Sequence, residues 1–436
     1  MRHGFLPMLH RLGHTESSPP LYYCLAWLWT RAFGTGEIGL RSLSALFGVL
    51  TVPAAYSAAA VAFGRREAKL AAILVTASPI LIWYSQEARA YALLVLSSAA
   101  ALVYFFRALK TPSRSSYWLW SLFSTLAVAT HYFTIFMVVP QAAMLMRANR
   151  SRRTIAMGAI PILAFAALLP LALHQSHKTW DFQAVPLKTR IAEVPKQFLV
   201  GYDAPLERIL AVVTAGCFAA AFVLVARKSD PSREAAKKLA VIAGCAVGAP
   251  IVLALAGKDY VLTLYVLGAL VPVLLVVAAG LVRSLLGLVA ALIVLAAFVS
   301  IDIAVPLNRE YQRDDWRGAA KALREHSGPR ALVITPASVL GIYIHGLRAP
   351  SDSRIGVREI DLVGMATKPT GGTFTAPRAL PAKLPPGFRV VRKIFDTRWT
   401  VVIMRSPKRS TVSVARLRSL HLGSWRDHNI TIRLQR

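Results

Sequence analysis

Three features of the sequence predict an all-α polytopic membrane protein of about ten transmembrane helices with a small external α/β domain at its C-terminal end. First, 55% of the 436 residues are hydrophobic and the mean hydropathy is +0.50, more apolar surface than a water-soluble chain can bury. Second, the excess of 51 Lys and Arg over 21 Asp and Glu is unevenly placed. Third, the apolar runs stop near residue 305, where Pro and Gly become frequent and helix and strand periods alternate.

Apolar stretches near the length that crosses about 30 Å of hydrocarbon fall at 41–63, 68–83, 90–107, 117–130, 132–147, 154–174, 208–226, 238–256, 261–282 and 284–305. Between them the cations gather in alternate turns: Arg65, Arg66 and Lys69; Arg107, Lys110 and Arg114; Arg147, Arg150, Arg152 and Arg153; Arg227 to Lys238; and Arg283. That is the positive-inside pattern, and it explains the charge without nucleic acid as a partner. It places residues 1–40, the segments 84–91, 175–207 and 257–260, and the domain from 306 onward on the external or periplasmic side of the cell membrane.

Residues 1–40 are read as an external first loop, with PLYYCLAWLWTRAF (20–33) as an interfacial helix anchored by its Trp and Tyr. Residues 41–305 form the multi-span domain. In 306–405, Asp314 is expected to cap a helix from Asp315 to about His326, and strands are expected at 331–335, 388–394 and 397–405. The basic stretch 406–436 is read as a loosely attached tail.

Cys24, Cys217 and Cys245 all lie in apolar stretches, so neither a disulfide framework nor a zinc-thiolate site is indicated. No Walker loop, dinucleotide fingerprint or nucleophile elbow occurs, which argues against ATP-driven transport and serine hydrolysis.

Polar residues with chemical potential stand at the external helix ends. His14 and Glu16 precede the pair Pro19-Pro20, where they can project from a loop or simply cap a helix entry. In WYSQEARAY, a continuous helix would set Glu87 beside Tyr91 and Ser85 beside Arg89 at the bilayer edge, either as a site or as an anchoring belt. His131, in an apolar surround, fits a ligand contact or a packed, hydrogen-bonded ring. Lys258 can neutralise Asp259 or reach a phosphate. The loop 175–207, with His177, Lys178, Trp180, Asp181, Lys196 and Tyr202, is long enough to cover a site and equally fits a solvated loop.

The stretches PPLYYCLAWLWTRAFGTGEIGLRSLSALFGVLTVPAAYSAAAVAFGRR and SPILIWYSQEARAYALLVL, in this order and spacing, resemble the family-39-like members of the C superfamily of glycosyltransferases, relatives of protein O-mannosyltransferases and aminoarabinose transferases. The likeness covers roughly residues 14–140 and fades to shared topology through about 305; DDWRGAAKAL, at 314–323, also resembles bacterial members. It implies an enzyme that moves a sugar, mannose-like or other, from a polyprenyl-phosphate donor to an acceptor on the external face, with inversion at the anomeric carbon. On that resemblance Glu16 and Glu87 are the candidate catalytic carboxylates, and His14, Gln86, Arg89, Tyr91, His131 and Lys258 are the candidate substrate contacts, with Arg89 and Lys258 facing the phosphate. Partners are the lipid-linked donor, membrane lipid and an acceptor that is a protein, a lipid or a glycan. A divalent metal stays open as a cofactor, with no residue assigned to it.

The chain departs from the family twice. Members carry an acidic base in the first external loop, just after a first spanning helix, whereas here no Asp or Glu precedes Glu16. The expectation is a protein that begins upstream of Met1, and a stop codon immediately before Met1 would defeat it. After Lys258-Asp259-Tyr260, the run Val-Leu-Thr-Leu-Tyr replaces an Arg-containing stretch. Two other classes compete: a transporter or flippase, and a non-catalytic membrane scaffold. Charges gathered at helix ends, with apolar span centres, favour surface chemistry over a midplane path.

Overall fold

Helices dominate the first three hundred residues because their apolar side chains leave the backbone to satisfy its own hydrogen bonds. The computed structural model describes residues 4–176, 185–227, 229–324, 326, 328–336, 340–366, 375–381, 383–423 and 430–435. It divides at Ala304/Val305 into two units.

The first unit begins with α1 (Phe5–Thr15) and α2 (Leu21–Phe33), which share a small core of Met8, Leu12, Tyr22, Tyr23 and Ala26. The segment before Pro19, expected as a loop, is therefore largely helical. Then follow α3 (Glu37–Ala62), α4 (Arg65–Thr76), α5 (Pro79–Ser85), α6 (Tyr91–Lys110), α7 (Arg114–Thr130), α8 (Ile135–Ala148) and α9 (Arg152–Ser176). After them come α10 (Leu187–Val200), α11 (Glu207–Ala226), α12 (Pro231–Leu255), α13 (Leu270–Leu281) and α14 (Leu285–Leu307).

Among the described residues, six helices are long and apolar enough to cross a membrane: α3, α6, α9, α11, α12 and α14. All ten expected stretches are largely helical, and the four that are not single long helices depart from that for local reasons. The stretch 68–83 is a broken pair, α4 and α5, bent by 58° and countable as a seventh span. Pro79 cannot donate to the preceding turn and forces Ser78 into an extended conformation, so α5 starts afresh there. α7 is only 17 residues long, and the apolar helices after His131 and after Val266 are short and begin in 3-10 turns.

α6 and α13 form the centre. α6 packs on α3 and α7, and α13 is enclosed by α4, α11 and α12. Where α13 crosses α11, Gly280 is obligatory: a Cβ there would stand 2.1 Å from the Ala221 carbonyl oxygen. At the end of α6 that carries Lys110, Glu67 is buried and accepts from Arg283 at 2.6 Å, and Arg283 also reaches Asp230 at 3.0 Å. The other end of α6, at Tyr91, adjoins the turn that carries Gln86, Glu87 and Arg89.

The second unit is a five-stranded sheet in the order β3-β4-β2-β1-β5, with β1 (Arg330–Thr335), β2 (Arg354–Met365), β3 (Arg389–Phe395), β4 (Trp399–Ser413) and β5 (Thr431–Gln435). β1 and β2 are parallel and the other pairs antiparallel. One face packs on α15 (Trp316–Ala322) and the other on α16 (Val414–Arg418). Asp315, not Asp314, caps α15, accepting from the Gly318 amide at 2.8 Å.

The stretch beyond Ser406, expected as a loose tail, is part of this fold: β4 runs on to Ser413, α16 follows, and β5 pairs along the outer edge of β1. The alternation of Ile430 and Ile432 with polar neighbours buries one side of β5 and justifies the pairing.

Candidate active site

Glu16 follows α1, and Pro19 and Pro20 turn the chain directly into α2, whose Tyr23 returns toward it. The Tyr23 hydroxyl donates to Glu16 Oε2 at 2.6 Å, and Arg89 Nη2 donates to the same oxygen at 3.0 Å. Burial first, and the Glu16 charge second, push the Tyr23 phenol upward, so it stays protonated and can only donate here. The Arg89 guanidinium also lies above its ordinary value, with Tyr91 as the largest contributor. The ion pair is not sealed: the side chains of Arg89 and Glu16 keep 37% and 21% exposure, enough for a ligand anion to compete for the cation.

The segment 86–90 is a turn, not the continuous helix expected from the Glu87/Tyr91 and Ser85/Arg89 spacings. α5 ends at Ser85, the Glu87 amide bonds back to Tyr84 and the Arg89 amide bonds to the Glu87 carbonyl at 2.7 Å, a pattern no helix allows. Glu87 and Arg89 thereby stand on one tight turn, and α6 starts with Tyr91, whose ring meets Tyr84 edge-on at 4.9 Å. Gln86 is exposed. Ser44 Oγ ties the turn to α2: it donates to the Arg89 carbonyl at 3.4 Å and lies 2.8 Å from the Tyr22 hydroxyl.

A third strand of the site was not singled out from the sequence. Tyr265, in a 3-10 turn before α13, sets its hydroxyl 3.4 Å from Ser17 Oγ, and its ring lies 5.0 Å from His131 and is stacked on Phe133 at 5.4 Å. His131 is fully buried and neither ring nitrogen has a hydrogen-bond partner among the described residues, unlike the bonded packing histidine that was one of the two expectations. It joins the site through Tyr265.

Two expected contacts fall elsewhere. His14 is exposed on α1 and its ring neighbours are His10 and His174, at 5.4 and 5.3 Å. Lys258 is exposed and does not pair with Asp259, which instead takes both guanidinium nitrogens Nη1 and Nη2 of the buried Arg190 from α10. Arg190 also donates to the Val261 carbonyl at 3.0 Å and the Val185 carbonyl at 2.9 Å, fixing the segment that leads to Tyr265. This bidentate contact, together with the Val261 amide, keeps the Asp259 carboxyl below the usual range.

Of the loop expected at 175–207, residues 177–184 lie outside the described residues, and with them His177, Lys178, Trp180 and Asp181. The rest is largely committed: α10 fills most of it, Lys196 pairs with Glu193 and Glu207, and Tyr202 stacks on Trp83. Among the described residues no group of three His, Cys, Asp or Glu is placed to hold a metal ion.

The site's two chain segments, 16–23 and 86–91, lie within residues 17–180 or directly at their edge, and that stretch matches a family model described as dolichyl-phosphate-mannose-protein mannosyltransferase. Residues 17–180 are similar to that family. Among solved structures, ArnT from Cupriavidus metallidurans in the apo state aligns with a TM-score of 0.39 and 16% identity, over 70% of this chain and 51% of that one. The match thus spans about half the length of that chain. ArnT from Cupriavidus metallidurans bound to undecaprenyl phosphate aligns with a TM-score of 0.33 and 14% identity, over 89% and 88%. No curated protein matches the sequence.

Proposed function

We propose that the chain is a membrane glycosyltransferase that moves a sugar, mannose-like or other, from a polyprenyl-phosphate donor to an acceptor at the external face, with inversion. The observation that carries this reading is the meeting of Arg89, Glu16 and Tyr23 at the end of α6, in the stretch that matches the mannosyltransferase family. A lipid-linked sugar needs a cation at a helix end for its phosphate and apolar helices beside it for its tail, and this site offers both.

In the reaction the acceptor's hydroxyl oxygen attacks the anomeric carbon on the face opposite the phosphate. The bond from that carbon to the phosphate oxygen breaks, its electron pair leaves with the phosphate, and the hydroxyl proton passes to a carboxylate. Arg89 holds the departing phosphate. Glu16, already engaged by Tyr23 and Arg89, is the positioning residue that aims that cation, and Glu87, the other carboxylate of the site, is assigned as the base.

The test is binding of polyprenyl phosphate to the purified chain, read by native mass spectrometry. Arg89→Gln is expected to weaken binding by about 10-fold or more, the loss of a charge-assisted contact, while Lys237→Gln, at an exposed cation outside the site, leaves it unchanged. Equal binding by Arg89→Gln and the parent would remove the phosphate role.

A further inference from the structure

The edge strand of the second unit carries a surface that sugar transfer does not use. In the β3–β4 ladder Arg389 stands directly opposite Arg405. Like charges facing across a ladder are unfavourable, and a bulge adds a third cation to the same face. Between Val390 and Arg392 the register shifts by one residue, so Arg392 pairs with Ile403 and shares the face of Arg389, which regular alternation would have denied it. Arg405 has a counter-charge, the buried Glu359, which accepts from its Nε at 2.6 Å. Arg389 and Arg392 have none among the described residues, and both are exposed.

Next to this row the β4 ladder opens: Val357 pairs with Ser410 and Glu359 with Arg405, so four residues of β4 oppose the single Arg358. That excursion presents Lys408 and Arg409 to solvent.

Apolar exposure accompanies the charge on the same edge strand, with Phe395, opposite Thr400, on the face away from Arg389 and Arg392. Past α14, the exposed large hydrophobic side chains among the described residues of this unit are Val391 at 43% and Phe395 at 48%, both on β3. Charge alone would serve to keep an edge strand from pairing with another chain, but Val391 and Phe395 work against that purpose. An edge strand that sends guanidinium groups to one side and exposed apolar side chains along the same edge has instead, when met edge-on, the composition of a surface that sits among lipid headgroups, where cations meet phosphates and apolar groups enter the acyl boundary. A soluble polyanion would reward the arginines and leave Val391 and Phe395 in water.

We propose that β3 and the adjoining β4 excursion bind the phosphate headgroups of anionic phospholipid. The unit follows α14 without a linker, so the chain itself keeps such lipid at high local concentration. The proposal is independent of sugar transfer.

The test is amide hydrogen exchange of the full chain in nanodiscs of phosphatidylcholine alone or with about 30% phosphatidylglycerol. Exchange at residues 389–395 and 405–410 is expected to slow by about fivefold or more with phosphatidylglycerol, and to recover in about 0.5 M salt. Arg389→Gln with Arg392→Gln is expected to abolish the slowing while β1 and β2 stay protected, and Arg389→Lys with Arg392→Lys to retain most of it. Equal exchange in both lipids, or slowing that survives the Gln pair, would overturn the proposal. Slowing by inorganic phosphate or by dextran sulfate, in phosphatidylcholine discs, equal to that given by phosphatidylglycerol would also overturn it, in favour of a soluble anion.

Discussion

Arg89 donates to Glu16 at 3.0 Å across 73 residues of sequence, and Tyr23 donates to the same carboxylate oxygen. One carboxylate thus fixes the direction of a half-exposed cation at the end of a buried helix. Replacing it by Gln keeps the shape and removes the charge. Glu16→Gln is expected to lower kcat/KM for the lipid-linked donor by about 10- to 100-fold, the scale of a misplaced positioning group. Tyr23→Phe, which removes one of the two donors and no charge, is expected to cost up to about 10-fold. Steady-state kinetics on the two variants check the order; a larger loss in Tyr23→Phe would assign the orienting role to the phenol.

The Arg190–Asp259 pair sits deeper, with the Arg190 side chain 6% exposed. Asp259→Asn leaves a buried guanidinium without its counter-charge and is expected to destabilise the chain by about 3 kcal/mol. Replacing both partners by apolar residues, as in Arg190→Met with Asp259→Leu, is expected to cost less than the single change. Thermal unfolding in detergent measures both, and a milder single variant would mean that the pair holds nothing in place.

Gly280 offers a packing test away from all charge. Gly280→Ala puts a methyl group against the Ala221 carbonyl, and α11 and α13 must separate. The expected loss is about 1–3 kcal/mol, seen as a lower Tm, whereas Gly216→Ala on α11, with open space around it, is expected to be neutral.

In the second unit, burial, with the nearby Glu359 adding to it, raises the Asp361 carboxyl to about 7 against the opposing pull of Arg330. The folded chain then holds a proton that the unfolded chain releases near pH 4. Its contribution to stability is complete below that pH and is lost as pH rises toward 7. Tm is expected to fall over this window, and Asp361→Asn, the uncharged mimic, to flatten the fall. An unchanged slope in Asp361→Asn would place the titration on another group.

The sequence made some of this legible and hid the rest for physical reasons. Glu16, Glu87 and Arg89 stood out singly because charged residues at apolar helix ends are costly, but nothing local says that residues 73 apart in the chain meet. Proline was read as a helix starter at Pro19-Pro20, and the same chemistry at Pro79 breaks a span. β2 was missed because Glu359 and Asp361 interrupt its apolar run; both are fully buried, and Arg330 and Arg405, on neighbouring strands, make that burial tolerable. Lys258 and Asp259 looked like a pair by adjacency, yet Arg190 presents two donors at once and displaces the lysine.

The most direct measurement of the central claim is sugar transfer in membranes supplied with radiolabelled polyprenyl-phosphate mannose and related lipid-linked sugars. The account predicts label moving to an endogenous acceptor with the parent chain, and a loss of about 100-fold or more in Glu87→Gln, whose base is gone, with donor binding retained. Transfer by Glu87→Gln at the parental rate would contradict it.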